Sequence, residues 1–148
     1  MLKALHTGFL ALAALVAGSI FDLNAAADST AAGAVGQLTG TVVVVNQASD
    51  TATLIDLATM EAYRHVAVVG GPHEAAVSPD GRRVIVTNYR KRGGAAQKTL
   101  SLISLPDGDT IRTIDLGEFS TPHDVQWVND SQVVTTVEAN QALLLVNV

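Results

Sequence analysis

The 148-residue chain sets 9 Lys and Arg against 14 Asp and Glu, a net charge of −5, and contains no cysteine. That length holds it to one modest domain. The missing thiols exclude zinc-thiolate and haem-attachment motifs, and the acidic balance argues against nucleic acid as a partner.

The first element lies outside the expected fold. Lys3 precedes an apolar run from Phe9 to Phe21, and polar Asp22 and Asn24 lead to Ala25-Ala26-Ala27. A basic start, a short apolar stretch and a small-residue site are the grammar of a secretory signal. A membrane-spanning helix needs roughly 18 or more apolar residues, so this run is short for one. Residues 1–27 are therefore read as a signal peptide cut after Ala27, against the competing reading of an uncleaved anchor. The mature chain is then periplasmic or secreted, with no stable membrane span. An oxidising compartment permits disulfides without requiring them. Residues 28–40 are mostly Ala, Gly, Ser and Thr without an apolar period and read as a flexible lead-in.

From Thr41 onward the chain alternates short β-type runs with turn chemistry. The runs TVVVVN (Thr41–Asn46), TATLIDL (Thr51–Leu57) and RHVAVV (Arg64–Val69) are rich in Val, Ile and Thr, and none has the spacing of a long amphipathic helix. Ser78-Pro79-Asp80-Gly81 is a turn in which Pro fixes φ, Asp caps its own backbone and Gly relieves crowding. Regularly spaced short strands of this kind predict an all-β chain of hairpins.

The runs also repeat. VVVVN ending at Asn46 returns as VIVTN ending at Asn88, TLIDL (Thr53–Leu57) returns as SLISL (Ser101–Leu105), and Pro72-His73-Glu74 returns as Pro122-His123-Asp124. A third copy starts at Asp124 and runs to ALLLVNV at the end of the chain. Four short strands per period of this length point to a β-propeller. On these residues, PHEAAVSPDGRRVIVTNY above all, residues 41–148 resemble the YVTN-type repeat of periplasmic and surface propellers. The resemblance weakens in the third copy, where WVNDSQ replaces the Ser-Pro-Asp-Gly turn. It implies rings that are commonly seven-bladed and serve more often as scaffolds than as enzymes.

Counting strands gives ten, in about three incomplete four-stranded antiparallel blades that do not close a ring. The first blade lacks its inner strand and the last its outer one. A seven-bladed ring needs roughly 300 residues at about 42 each, so a truncated member of the family is expected. Open arcs expose unpaired strands and apolar faces, which predicts self-association.

Chemistry-bearing residues are few. His73 and His123 take equivalent positions, each between a Pro and a carboxylate (Glu74, Asp124). Inner strands of successive blades converge on the central channel, so the pair is a candidate site for a divalent metal. The alternative is that each His caps a loop by bonding a neighbouring blade's backbone. His65 falls in an expected outer strand, at the surface. Arg90, Lys91, Arg92 and Lys98, grouped with Arg82 and Arg83, form a cationic cluster, read either as an attractor of anionic envelope polymer or as a solvated loop. No nucleophile elbow, phosphate loop or His-Glu-x-x-His helix is present, and the single Trp is unlike the Trp-rich quinone-dependent propellers. The expected function is an exported binding or interaction scaffold for a protein or cell-envelope ligand, with no catalysis of its own and no required cofactor. The competing class is a fragment of a propeller lactonase-like hydrolase.

Overall fold

The computed structural model describes residues 38–148; the expected signal peptide and residues 28–37 of the lead-in lie outside them. Ten strands follow in order: β1 (Thr41–Asn46), β2 (Thr51–Asp56), β3 (Glu61–Ala67), β4 (Pro72–Val77), β5 (Arg83–Arg90), β6 (Ala96–Ser104), β7 (Thr110–Asp115), β8 (Pro122–Asn129), β9 (Gln132–Val137) and β10 (Ala142–Asn147). They form three antiparallel sheets, β1-β2-β3, β4-β5-β6-β7 and β8-β9-β10, which we call blades 1, 2 and 3. This is the open, all-β propeller segment that the repeat predicts, with one complete blade between two incomplete ones. One boundary differs. The outer strand of blade 1 starts at Glu61, not Arg64, because the turn after Asp56 lets Glu61 and Ala62 pair at once with Asp56 and Ile55.

Each blade buries one face against the next. Period-2 side-chain alternation gives every central strand pair a leading face, toward the preceding blade, and a trailing face, toward the following one. Val43, Val45, Ala52 and Leu54 on the trailing face of blade 1 pack with Val84, Val86 and Ile103 on the leading face of blade 2. Ile85, Leu100 and Leu102 on the trailing face of blade 2 pack in turn with Val133, Val137, Leu144 and Val146 of blade 3. Full burial of such aliphatic side chains is worth about 1.5–3 kcal/mol each, so these two seams dominate the cohesion of the arc.

The registers match position for position. Val42–Ile55, Val84–Ile103 and Val133–Val146 are cross-strand pairs on the leading faces, while Val43–Leu54, Ile85–Leu102 and Val134–Leu145 hold the trailing ones. Polar clasps lock the seams. Arg64 Nη2 reaches Asp109 Oδ1 at 3.1 Å and Tyr63 Oη donates to the Pro106 carbonyl at 3.0 Å, from blade 1 to blade 2. Between blades 2 and 3, Trp127 Nε1 donates to the Ala76 carbonyl (2.9 Å) and Arg83 Nη2 to that of Asp130 (2.7 Å). Arg112 Nη2 repeats the Arg64 reach, donating to the Asn147 carbonyl at 3.2 Å. Gly108 sits in the β6–β7 turn with φ +75°, and a Cβ there would lie 2.8 Å from Arg64 Cγ and 2.9 Å from Leu54 Cδ1. Only a residue without a side chain lets blade 1 approach this closely.

Candidate functional site at the start of the inner strands

The sequence Pro-His-acid opens both inner strands described, β4 and β8, so His73 and His123 fall at the same end of neighbouring blades. What brings them together is Thr87, fully buried in β5. Its Oγ1 accepts the Glu74 N–H at 2.9 Å and faces two carbonyls, Glu74 O at 3.3 Å within the blade and His123 O at 3.1 Å across the seam. One hydroxyl thus ties both inner strands to a single point.

The rings then converge. His73 and His123 have centroids 4.1 Å apart at 42°, and Tyr89, from the end of β5, stands 5.0 Å from His73 and 5.4 Å, edge-on, from His123. All three are half-buried. The Tyr89 hydroxyl donates a short hydrogen bond to the Glu138 carboxylate, which follows β9 in blade 3. That bond is the first cause of a phenol pKa raised above its ordinary 10.0, followed by burial and by the charge of Glu138. His123, Thr136, Glu138 and Leu143 border an open cleft of about 550 Å³ beside the rings.

The predicted pair therefore meets, and among the described residues neither ring makes a hydrogen bond to the backbone of a neighbouring blade. His73 Nδ1 is shielded from solvent and has no hydrogen-bond partner among the described residues, although Glu74 Oε1 stands 3.5 Å away. Asp124 turns onto its own strand, accepting the Val125 N–H at 2.8 Å. Among the described residues no group of three or more His, Cys, Asp or Glu side chains converges as a metal-binding set. His65 lies exposed in outer strand β3, with its Nδ1 2.9 Å from Thr53 Oγ1.

The cationic cluster does not hold together. Arg82 and Arg83 are at the start of β5 and Arg90 to Arg92 at its end, and eight extended residues separate such ends by roughly 20 Å or more. Only the latter group lies beside the rings, with Arg90 Cζ 5.9 Å from the Tyr89 centroid. Lys91 is engaged by Asp50 at 3.4 Å, and Lys98 by Asp115 at 3.5 Å.

Sequence reasoning missed Tyr89, Glu138 and Thr121. Thr121 precedes Pro122-His123 with φ +57°, a left-handed conformation that is unusual for a β-branched residue. Its hydroxyl accepts the Ala139 N–H at 2.7 Å and donates to the Ser120 carbonyl at 2.6 Å, and its carbonyl accepts the Glu138 N–H at 3.0 Å. Gly71, at the matching place before Pro72-His73, has φ +54° and its carbonyl accepts the Tyr89 N–H at 3.0 Å. The two turns therefore set Tyr89 and Glu138 in equivalent positions, the signal that alignment of the repeats carries.

No protein-family model matches the chain, and no curated protein matches it in sequence. Solved structures do match in shape. "Dihydro-heme d1 dehydrogenase NirN in complex with DHE" superposes with a TM-score of 0.60 at 17% identity, over 74% of this chain and 22% of that one. "Kuenenia stuttgartiensis Hydrazine Synthase" gives 0.54 at 19% identity, over 74% of this chain and 33% of that one. The chain thus spans about a fifth to a third of the length of these structures. With three antiparallel sheets packed in series, it is a segment of a β-propeller.

Proposed function

We propose that this chain is an exported, YVTN-type propeller segment that acts as a binding scaffold, taking a cell-envelope ligand or a protein partner at the start of its inner strands. One observation carries the reading: His73, Tyr89 and His123, contributed by consecutive blades, present three half-buried rings within 5.4 Å of one another beside an open cleft. Such a surface offers flat aromatic faces on which a planar group can stack. Arg90 adds a cation at the rim, which favours a ligand combining planar and anionic character. The export reading rests on Lys3, the Phe9–Phe21 run and Ala25–Ala27, and the YVTN reading on the repeated Pro-His pair and the matching VVVVN (Val42–Asn46) and VIVTN (Val84–Asn88) runs.

The test expresses the full chain, recovers it from the periplasm and incubates it with isolated envelope fractions. The expected results are an intact mass that starts at Asp28, cosedimentation with one envelope fraction, and loss of that retention in a His73→Ala/His123→Ala variant. A mass that includes Met1 would overturn export. Unchanged retention in the variant would move the binding surface elsewhere, and turnover of a lactone panel by the wild-type chain would favour the hydrolase class.

A further inference from the structure

The ring cluster carries donor atoms as well as stacking faces. Among the described residues His65 is the one histidine whose ring makes a hydrogen bond. His73 Nδ1 is shielded, but His73 Nε2 and both His123 nitrogens are not, so three unpaired imidazole nitrogens reach solvent at one point. Nδ1 faces Glu74 Oε1 at 3.5 Å. A proton on that nitrogen answers the carboxylate and leaves the lone pair on Nε2, the arrangement in which a carboxylate orients a metal-ligating imidazole. His123 brings a second imidazole from the equivalent position of the next blade, and the Thr87 hydroxyl fixes both inner strands. Strands of two packed sheets, not loops, therefore place the pair.

The spacing also suits coordination. With metal–nitrogen bonds of about 2.0–2.1 Å, two imidazoles side by side on one ion have ring centres roughly 4.5–5 Å apart, and a phenolate on a third corner stands roughly 5–5.5 Å from each. The observed separations are 4.1 Å between the imidazoles and 5.0 and 5.4 Å from them to Tyr89. Small rotations of the two histidines supply the remaining few tenths of an ångström. Local charge favours a cation too. Glu74 and Asp124 follow the two histidines and Glu138 holds Tyr89, against the Arg90 guanidinium over the phenol, while Lys91 is engaged by Asp50.

We propose that His73, His123 and Tyr89 form a binding site for a first-row divalent cation, with copper(II) held more tightly than zinc. Imidazole suits both ions, and copper(II) tops the affinity order for such donors. His73 ligates through Nε2 and His123 through a ring nitrogen, with water in the remaining positions. On binding, the Tyr89 O–H bond breaks and the phenolate oxygen takes the third position. Glu138, already the acceptor of that hydrogen bond, receives the proton and passes it to water. The inference goes beyond the scaffold reading and does not depend on it, although a cation here also offsets the carboxylates that an anionic ligand would meet.

The test titrates the full chain, stripped by a chelator, with Cu²⁺ or Zn²⁺ alone and no envelope material, so its outcome is separate from that of cosedimentation. One tight Cu²⁺ per chain is expected, with a visible phenolate-to-copper absorption and an electron paramagnetic resonance spectrum split by two nitrogens. His73→Ala and His123→Ala should each weaken binding at least about 100-fold. His65→Ala should leave it unchanged, and Tyr89→Phe should abolish the visible band while the nitrogen splitting stays. Absence of stoichiometric uptake by the wild type overturns the proposal. So do unchanged affinity in either variant of the pair, loss of binding in His65→Ala, and a visible band that survives in Tyr89→Phe. If a histidine variant does not fold, the wild-type spectrum decides the matter, because fewer than two coupled nitrogens overturns the site.

Discussion

Tyr89 and Glu138 show how equivalent positions in a repeat become partners. Each lies at the end of the second strand of its blade, Tyr89 just inside β5 and Glu138 just past β9, each is placed by a left-handed residue before a Pro-His pair, and the seam brings the phenol of one onto the carboxylate of the other. The hydrogen bond holds the proton on Tyr89, so its folded pKa is raised above 10.0. By linkage the bond stabilises the fold fully below pH 10 and ceases to do so as pH rises through the folded value. Tyr63→Phe leaves Tyr89 as the only tyrosine of the chain. Phenolate absorbance in that variant is expected to appear only above pH 10, and adding Glu138→Gln should bring the titration down toward the ordinary value. An unchanged midpoint in the double variant would show that Glu138 does not hold the proton.

The strands themselves were legible, because Val, Ile and Thr alternate with turn residues whose backbone demands are specific. Ser78-Pro79-Asp80-Gly81 forms as read, with Ser78 Oγ donating to Asp80 Oδ1 at 2.5 Å and Arg82 N–H to the same oxygen at 3.0 Å. Where the third copy departs, Asn129 takes over, accepting the Ser131 N–H at 2.9 Å. Less legible was a polar core in the β-ladder. Buried Asn88 donates through Nδ2 to Thr99 Oγ1 (2.9 Å) and Ser101 Oγ (3.0 Å), and Asn46 does the same with Thr51 (3.1 Å) and Thr53 (2.7 Å). In blade 3 the matching residues are Val137, Ala142 and Leu144, an apolar replacement of the whole network. Asn88→Val alone should therefore cost about 1–3 kcal/mol, because it strands two hydroxyls. Asn88→Val/Thr99→Ala/Ser101→Ala should recover at least half of that in urea melts. A neutral single substitution would mean that the network contributes nothing net.

For the whole molecule, the repeat made blade number and openness readable from spacing alone, whereas the ring cluster needed geometry. His73 and His123 are 50 positions apart, and the packing of blade 2 on blade 3, with the Thr87 tie across that seam, brings their rings into contact. The cationic cluster was misread for the converse reason: sequence neighbours on one strand end up at its opposite ends. Acid lability is also a property of the assembled arc. Asp50 accepts the Gly71 N–H at 2.7 Å and joins the first hairpin to the entry of blade 2. That bond, then Lys91, holds its pKa below 3.8. Asp80 is lowered by the Ser78 hydroxyl and the Arg82 N–H, and Asp115 by the Gly117 N–H and Lys98. Each depressed carboxylate contributes stability that is present above 3.8 and lost as pH falls through its folded pKa. Urea midpoints should accordingly be flat from pH 7 to 5 and fall below pH 4, less steeply in Asp50→Asn, which keeps an acceptor but not the titration. Stability that rises on acidification would contradict the assignment. Gly108 governs a different property, the curvature of the arc. It lies toward the outer half of the seam between blades 1 and 2, where any side chain would act as a wedge against Arg64 and Leu54. A wedge at the rim opens the angle between blades, and six blades need about 60° each where seven need about 51°. The size of one residue in a turn thus helps decide how many blades complete a circle.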